Sequence, residues 1–431
     1  MCNSPFMTED DLATSGVRDA ARTERPTLGR DYWRLWTSAS LSSLADGILK
    51  VALPLVAIGF TRSPTAIAGL AFAFTLPWLL FALPAGAFAD RLDRRRTMVA
   101  AELVRAGLLA GLVLAVLFDA GSIAALYVVA FCVGTAETVY DTSAQALAPQ
   151  LVPRARLARA NGWLYAAELT ANQFIGPPLA GVLVTVGTLA AFVTPVALWI
   201  VALGALLLVR GRFRVPRDRS ATLRADIAEG LRFLWRHRLL RTFAAMVGVF
   251  NFTTNATWAV LVLYAVGPTS AMRLTERSFG VLLTAVAVGG VVGSVIAEPA
   301  ERALGRARLL GVSFLAGAAL VGLPALTANP ILVGVAFFVG SAGIIVSNIV
   351  MVSLRQRVTP DRLLGRVNSG YRLVAWGSRP LGAAAGGLLA QLLGLRAVFA
   401  VMGVLALAVL LWMATVTDRA MDAAEREAGH R

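Results

Sequence analysis

The chain has 431 residues, 57% of them apolar and only 15% charged, with a formal net charge of +15 and a mean hydropathy of +0.70. A water-soluble domain carries more charge than this, because its surface has to stay polar. The Arg and Lys excess is dispersed over short segments that alternate with apolar stretches, which points to membrane topology and excludes a nucleic-acid-binding stripe.

Residues 1–31 are polar and include Glu9, Asp10 and Asp11. No apolar stretch precedes a small-residue cleavage site, so this segment is expected to be a retained cytoplasmic tail. Apolar runs long enough to cross a hydrocarbon core at about 1.5 Å per residue follow at 34–60, 65–89, 97–118, 122–146, 161–185 and 188–209. Residues 210–240 form the long connection, and further runs cover 241–267, 278–297, 309–326, 330–354, 367–392 and 395–416. Backbone groups at that depth have no water to bond, and the alternating segments of a β-barrel are missing, so each run should be helical. The expectation is an all-α polytopic membrane protein of twelve helices. Its parts are an N-terminal six-helix bundle at 32–209, a linker at 210–240, a C-terminal bundle at 241–417 and a cytoplasmic tail at 418–431.

Pro153, Leu157, Arg159 and Asn161 recur as Pro360, Leu364, Arg366 and Asn368, each pair 207 positions apart. A tandem duplication explains this, and duplicated bundles that rock about a site between them are common in secondary transporters. With the N-terminus inside, the external loops hold only Arg62, Arg273, Arg277 and Arg396, while Arg34, Lys50, Arg105, Arg372 and Arg379 lie within spans. The rest of the 40 basic residues fall on the inner side, which places both termini in the cytoplasm. In the linker, Ile227, Leu231, Leu234 and Trp235 share a helical face, with Arg224, Arg232 and Arg236 on another. That pattern fits an amphipathic helix on the inner leaflet or a tether joining the bundles. Cys2 and Cys132 offer neither a disulfide framework nor metal-ligand company.

Between the second and third spans the chain reads Gly86-Ala-Phe-Ala-Asp90-Arg91-Leu-Asp93-Arg94-Arg95-Arg96. This resembles the G-x-x-x-D-R-x-x-R-R/K loop of the major facilitator superfamily. The resemblance implies a two-bundle fold and a cytoplasmic gate in which Gly86, Asp90, Arg91, Arg94 and Arg95 take part, with Asp141 as an acceptor. Charge-assisted contacts of this kind are strong when made and break on rehydration. The second half holds a degraded copy with Glu301, Arg302, Gly305 and Arg306. Ala148–Pro153 with Leu157–Asn161, and Glu229–Trp235 with Leu239–Arg241, resemble the bacterial branch of macrolide-efflux proteins and siderophore exporters. The family tendency of that branch is export across the bacterial cytoplasmic membrane.

Gly176, Pro177, Pro178 and Gly181 in the fifth span resemble an antiporter motif, with Ala180 replacing one glycine and Trp163 and Asn172 where upstream glycines are usual. Small residues allow close helix approach and proline bends a helix, so a pliable contact between the halves is implied. Buried charge is the other pointer to mechanism, since an ionised group at a helix centre costs about 2.5–3.5 kcal/mol on insertion scales. Asp46 and Lys50 are four apart on one helical face and return only about 0.2–0.5 kcal/mol as an isolated pair. Water or another charge must therefore be near. Glu137, Glu168, Arg105 and Arg379 complete the candidates for proton coupling or counter-ions, whereas Glu102 reads as structural.

Asn251, Thr254, Asn255 and Trp258 in the seventh span, with Ser347 and Asn348 in the tenth, combine amides, hydroxyls and an aromatic ring, a mixture suited to amphipathic compounds. Interhelical hydrogen bonding is the competing reading for each of them. His237 and His430 lie in cytoplasmic segments, and neither Cys-x-x-Cys nor a phosphate-binding Gly-x-x-x-x-Gly-Lys-Ser/Thr occurs, so no enzyme, metal, cofactor or ATP use is expected. The expected partners are a small-molecule substrate, protons and the lipid bilayer, with a monomeric protein. The leading expectation is proton-coupled efflux of a drug-like or siderophore-like molecule by alternating access. Import by symport, and a non-transporting membrane sensor or lipid-handling protein on the same fold, stay open as alternatives.

Overall fold

The computed structural model describes residues 28–118, 120–153, 156–211, 213, 223–413 and 415–429; side chains at 82–91, 158–159, 223–227, 361–362, 364–365, 369, 372 and 428–429 lie outside the description. The N-terminal bundle consists of α1 (Arg30–Ala57), α2 (Pro64–Arg91), α3 (Arg94–Leu117), α4 (Ile123–Leu151), a composite fifth crossing and α7 (Thr188–Leu207). The fifth crossing joins α5 (Leu157–Glu168), a π-helical segment (Leu169–Ile175) and α6 (Gly176–Val186). After the linker helix α8 (Leu223–Arg236) come α9 (Arg238–Ala265), α10 (Glu276–Leu304), α11 (Arg306–Leu326), α12 (Pro330–Val358), α13 (Asp361–Leu393), α14 (Leu395–Met413) and a terminal α15 (Asp418–Gly429). Among the described residues, eleven helices are long and apolar enough to cross a membrane. The Arg-bearing α13 packs among them as the twelfth crossing.

Connections are short and their chemistry is local. Ser122, Thr275 and Asn329 cap α4, α10 and α12 by accepting from backbone N–H groups of the first turn, which would otherwise be orphaned. A single glycine joins α6 to α7 and another joins α13 to α14. Gly187 and Gly394 do this with φ of 149° and 88°, a region that L side chains avoid. These two turns are also 207 positions apart, so the duplication seen in sequence reappears as equivalent backbone geometry.

The same five pairings build both bundles. First packs on fifth and on sixth, second on fourth, and third on fourth and on sixth in the N-terminal half. The C-terminal half repeats this as α9 on α13 and α14, α10 on α12, and α11 on α12 and α14. Across the halves, α2 packs on α13 and α9, and α6 packs on α10. We call the end where α2 turns into α3 the linker end and the opposite one the far end. The bundles meet along their far halves. Gly387 lies against Ala68 and Thr65 there, Arg62 donates to Val266 O at 3.2 Å, and Gly181 abuts Gly280.

Two segments outside the crossings pack against the bundles. The linker helix α8 packs against the C-terminal bundle: Leu234 is fully buried, Gly230 sits against the backbone of Arg366, and Glu229 pairs with Arg366. It is thereby fastened to α13, with Trp235 exposed; Ile227 and Arg224 lie outside the described side chains. The expected tail at 418–431 contains α15, whose Met421 and Ala424 are buried. Acids spaced along the other face of α15 explain its position, because Arg306 pairs with both Asp422 and Glu425 and Arg357 with Glu425 at 3.4 Å.

Candidate transport site

Near mid-depth the N-terminal bundle holds a charge network. Arg105 on α3 donates from Nη1 to both oxygens of Asp46 on α1, at 3.0 Å each, and from Nη2 to Ser42 Oγ at 2.8 Å. Glu102 Oε1 lies 3.0 Å from Nη2 at ion-pair range but without the alignment of a hydrogen bond. The guanidinium is sandwiched by aromatic faces, 4.7 Å from the Tyr140 centroid and 5.2 Å from that of Trp199. Side-chain exposure of Arg105 and Glu102 is 0%, and of Asp46 5%. A planar guanidinium offers several donors and stacks well, which is why arginine rather than lysine occupies such a place.

Lys50, one turn beyond Asp46, turns elsewhere. Its Nζ donates to Glu137 Oε1 on α4 at 3.0 Å and lies 5.6 Å from the Phe74 centroid on α2. The i,i+4 spacing puts Asp46 and Lys50 on one face, yet each takes its hydrogen-bonded partner from another helix. Both oxygens of Asp46 are taken by a forked donor from α3, and the longer, flexible lysine reaches a second carboxylate. Lys50 keeps 37% of its side chain exposed and Glu137 only 7%. An ammonium that open at mid-helix requires a wet surface. Glu137 Oε2 is buried without a hydrogen-bond partner.

Beside this network the fifth crossing departs from α-helical geometry over Leu169–Ile175. Pro177 and Pro178 cannot donate to the carbonyls one turn back, and their rings crowd those carbonyls, so the turn before them widens. The irregularity thus falls N-terminal to the Gly-Pro-Pro motif. Around it Gly176 packs on Gly47 of α1, and an added Cβ at Gly47 would come within 2.5 Å of Asn172 O. At the other end of the motif, a Cβ on Gly181 would meet Glu276 O at 2.7 Å. The motif therefore touches α1 in its own bundle and α10 in the other.

The remaining candidates scatter. Glu168 is exposed where α5 enters the π segment, and Asp141 is half-buried one turn from Glu137. Arg94 donates to Ala146 O at 2.6 Å and Arg95 to the carbonyls of Leu206 and Leu207, so both brace the N-terminal bundle. Side chains of Gly86, Asp90, Arg91 and Arg372 lie outside the description. In the degraded second copy, Arg302 pairs with Glu298 while Arg306 is held by α15, and Glu301 is half-buried. Asn251 ties α9 to α13 by donating to Ala375 O at 2.6 Å, and Asn255 donates back to Asn251 O. Ser347 donates to Ile344 O within its own helix, Thr254 Oγ1 is buried without a partner, Trp258 stacks on Phe337 at 5.3 Å, and Asn348 is exposed.

Sequence reading missed Trp78 and Trp376. They meet edge to face at 4.4 Å across the α2–α13 seam, with the Arg379 guanidinium 5.2 Å from the Trp376 centroid. Nothing in their local sequence marks them, since their partnership depends on two crossings far apart in the chain. A cavity of about 950 Å3 lies to one side of the network, between α3 and α4 toward the linker end, lined by Phe131, Cys132, Thr135 and Val104 with Arg96. Among the described residues no group of three or more His, Cys, Asp or Glu is placed to hold a metal ion.

The twelve-crossing fold with paired bundles and a buried charge network defines a membrane transporter of the major facilitator type. Residues 26–431 match the transmembrane secretion effector family, and the chain belongs to that family, a multi-pass group of transporters and not of enzymes. The chain is 28% identical over 377 residues to the multidrug efflux pump Tap of Mycolicibacterium fortuitum, covering 84% of this chain and 90% of that protein. It is 26% identical over 332 residues to the enterobactin exporter EntS of Citrobacter koseri, covering 76% and 77%. In fold it is similar to the nucleoside transporter NupG, with a TM-score of 0.71 at 11% identity over 90% of this chain and 99% of that one.

Proposed function

We propose that this protein exports a drug-like, antibiotic or siderophore-like small molecule across the bacterial cytoplasmic membrane by alternating access, driven by the proton gradient. The observation that carries the reading is the mid-depth network, in which the Lys50–Glu137 pair, with a partly exposed ammonium, stands beside the buried Asp46–Arg105 pair. Ionisable groups at that depth mark ion and substrate pathways, and a carboxylate within reach of both water and a cation can exchange a proton for a conformational change. The likeness to Tap, a multidrug efflux pump, and to EntS, an enterobactin exporter, favours outward movement. The linker end is the cytoplasmic one by the distribution of Arg and Lys, so far-half contact corresponds to a form closed to the outside.

The test is uptake by everted membrane vesicles from an efflux-deficient host, first screened for resistance to macrolides, cationic dyes and catechol siderophores. A compound to which expression confers resistance should accumulate when the vesicle interior is acidic and should leak away when a protonophore is added. Accumulation that persists after the gradient collapses contradicts proton coupling.

A further inference from the structure

We infer that the groove on the outer side of α3 and α4 binds an anionic phospholipid of the inner leaflet, with an acyl chain along the groove and the phosphate at Arg96. Such a site is independent of what the protein carries.

The groove faces away from the other bundle. On α4 its lining residues Cys132, Thr135 and Val139 lie three to four apart on the face opposite Glu137. On α3 the lining residues Ala100 and Val104 are exposed, while Glu102 and Arg105 turn inward. The bundles meet through α2, α6 and the π segment and not through α3 or α4, so the opening looks out to the bilayer. Phe81 of α2 closes one flank, its ring edge to face with Phe131 at 6.2 Å.

The walls suit hydrocarbon. Both threonine hydroxyls are already bonded locally, Thr97 Oγ1 donating to Asp93 O at 3.0 Å and Thr135 Oγ1 to Phe131 O at 2.8 Å. Carbon is left to face the cavity of about 950 Å3. From Arg96 to Val104 the groove follows α3 for about 12 Å, most of the roughly 15 Å of hydrocarbon in one leaflet.

Charge is confined to the linker end. Arg94 and Arg95 are tied to carbonyls of α4 and α7, whereas Arg96 on the rim is exposed and its side chain has no partner among the described residues. Asp93 shares the rim, but each of its oxygens accepts a backbone N–H, from Arg96 and from Phe213, at 3.0 Å. An apolar trough that ends at an unpaired guanidinium fits an amphiphile with an anionic head, and arginine matches phosphate geometry. The distribution of Arg and Lys puts that head in the inner leaflet, whose anionic lipids attract basic residues near the surface. Ala101 and Ala136, which line the groove, are buried beside Glu102 and Glu137, so the acyl chain lies directly behind the charge network.

Cys132 in the wall reports occupancy. With Cys2→Ser the chain keeps a single thiol, and its alkylation by N-ethylmaleimide is timed in purified, delipidated protein in an uncharged detergent. Phosphatidylglycerol, phosphatidylcholine with the same chains, and glycerophosphate are added in separate arms. Phosphatidylglycerol should slow the reaction in a saturable way, and the other two should not. Arg96→Gln should raise the phosphatidylglycerol needed for half-protection about fivefold, the share of one basic residue near an anionic surface, while Arg96→Lys should keep most of the protection. Arg96 is exposed, so neither change threatens folding. No protection by phosphatidylglycerol, equal protection by phosphatidylcholine, protection by glycerophosphate alone, or an unchanged half-protection point in Arg96→Gln overturns the assignment. A thiol shielded by a compound to which expression confers resistance, and indifferent to phosphatidylglycerol, overturns it too and makes the groove a substrate entry.

Discussion

Arg105 ties α1, α3, α4 and α7 together through Asp46, Ser42, Tyr140 and Trp199. It is fully buried and neutralises Asp46 while facing Glu102, so removing it leaves two carboxylates stranded in a dry site. Breaking a buried pair by deleting one partner typically costs about 3–5 kcal/mol. Arg105→Met should lower the unfolding free energy in detergent by roughly that amount, and adding Asp46→Asn to it should restore part of the loss. Equal stability of Arg105→Met and wild type would show that the network is not structural. At this scale the sequence names the charges that lie at membrane depth and says little about whom they meet. Asp46, Lys50, Glu137 and Arg105 could be named from the cost of charge at membrane depth, but their pairing joins α1 to α3 and α4, and no i,i+4 rule reaches between helices. Ser42, Tyr140 and Trp199 were invisible for the same reason: a serine or aromatic in an apolar run is ordinary until a guanidinium is placed on it.

The helices themselves were legible because length and hydropathy at membrane depth leave little choice. Their departures from regularity were legible only in part. Two adjacent prolines announce a bend, yet the π segment falls in the preceding turn, where the missing donors would have bonded. Twelve residues with few apolar side chains do not make an isolated helix stable, so the segment 418–429 does not announce α15 in the sequence. It is held instead by Arg306 and Arg357 and by Asp418 Oδ1, which accepts from Ala307 N at 3.0 Å. The basic residue of the second-half motif is thus spent on bracing α11 and α12, which makes the two halves unequal at the linker end. Each partly exposed pair is worth about 0.2–1 kcal/mol and is screened by salt. Ending the chain after Thr417 should therefore lower the melting temperature in detergent and remove most of its dependence on ionic strength. A truncated protein as salt-sensitive as the full chain would place that sensitivity elsewhere.

For the whole molecule, the 207-residue repeat foretold two like bundles, and the structure extends it to the one-residue junctions at Gly187 and Gly394 and to the five matching helix pairings. How the bundles lean on each other was legible only at Gly181, whose motif implies a contact between the halves and which abuts Gly280; Gly387 on Ala68 looks like any other glycine in a membrane helix. The proposed alternating access requires these far-half contacts to part in each turnover. Its most direct test is to join Ala68→Cys to Gly387→Cys by oxidation, in a chain with Cys2 and Cys132 replaced by serine, and to measure gradient-driven uptake in everted vesicles. The account predicts that uptake stops when the two helices are linked and returns when the disulfide is reduced. Undiminished uptake by the fully cross-linked protein would contradict it.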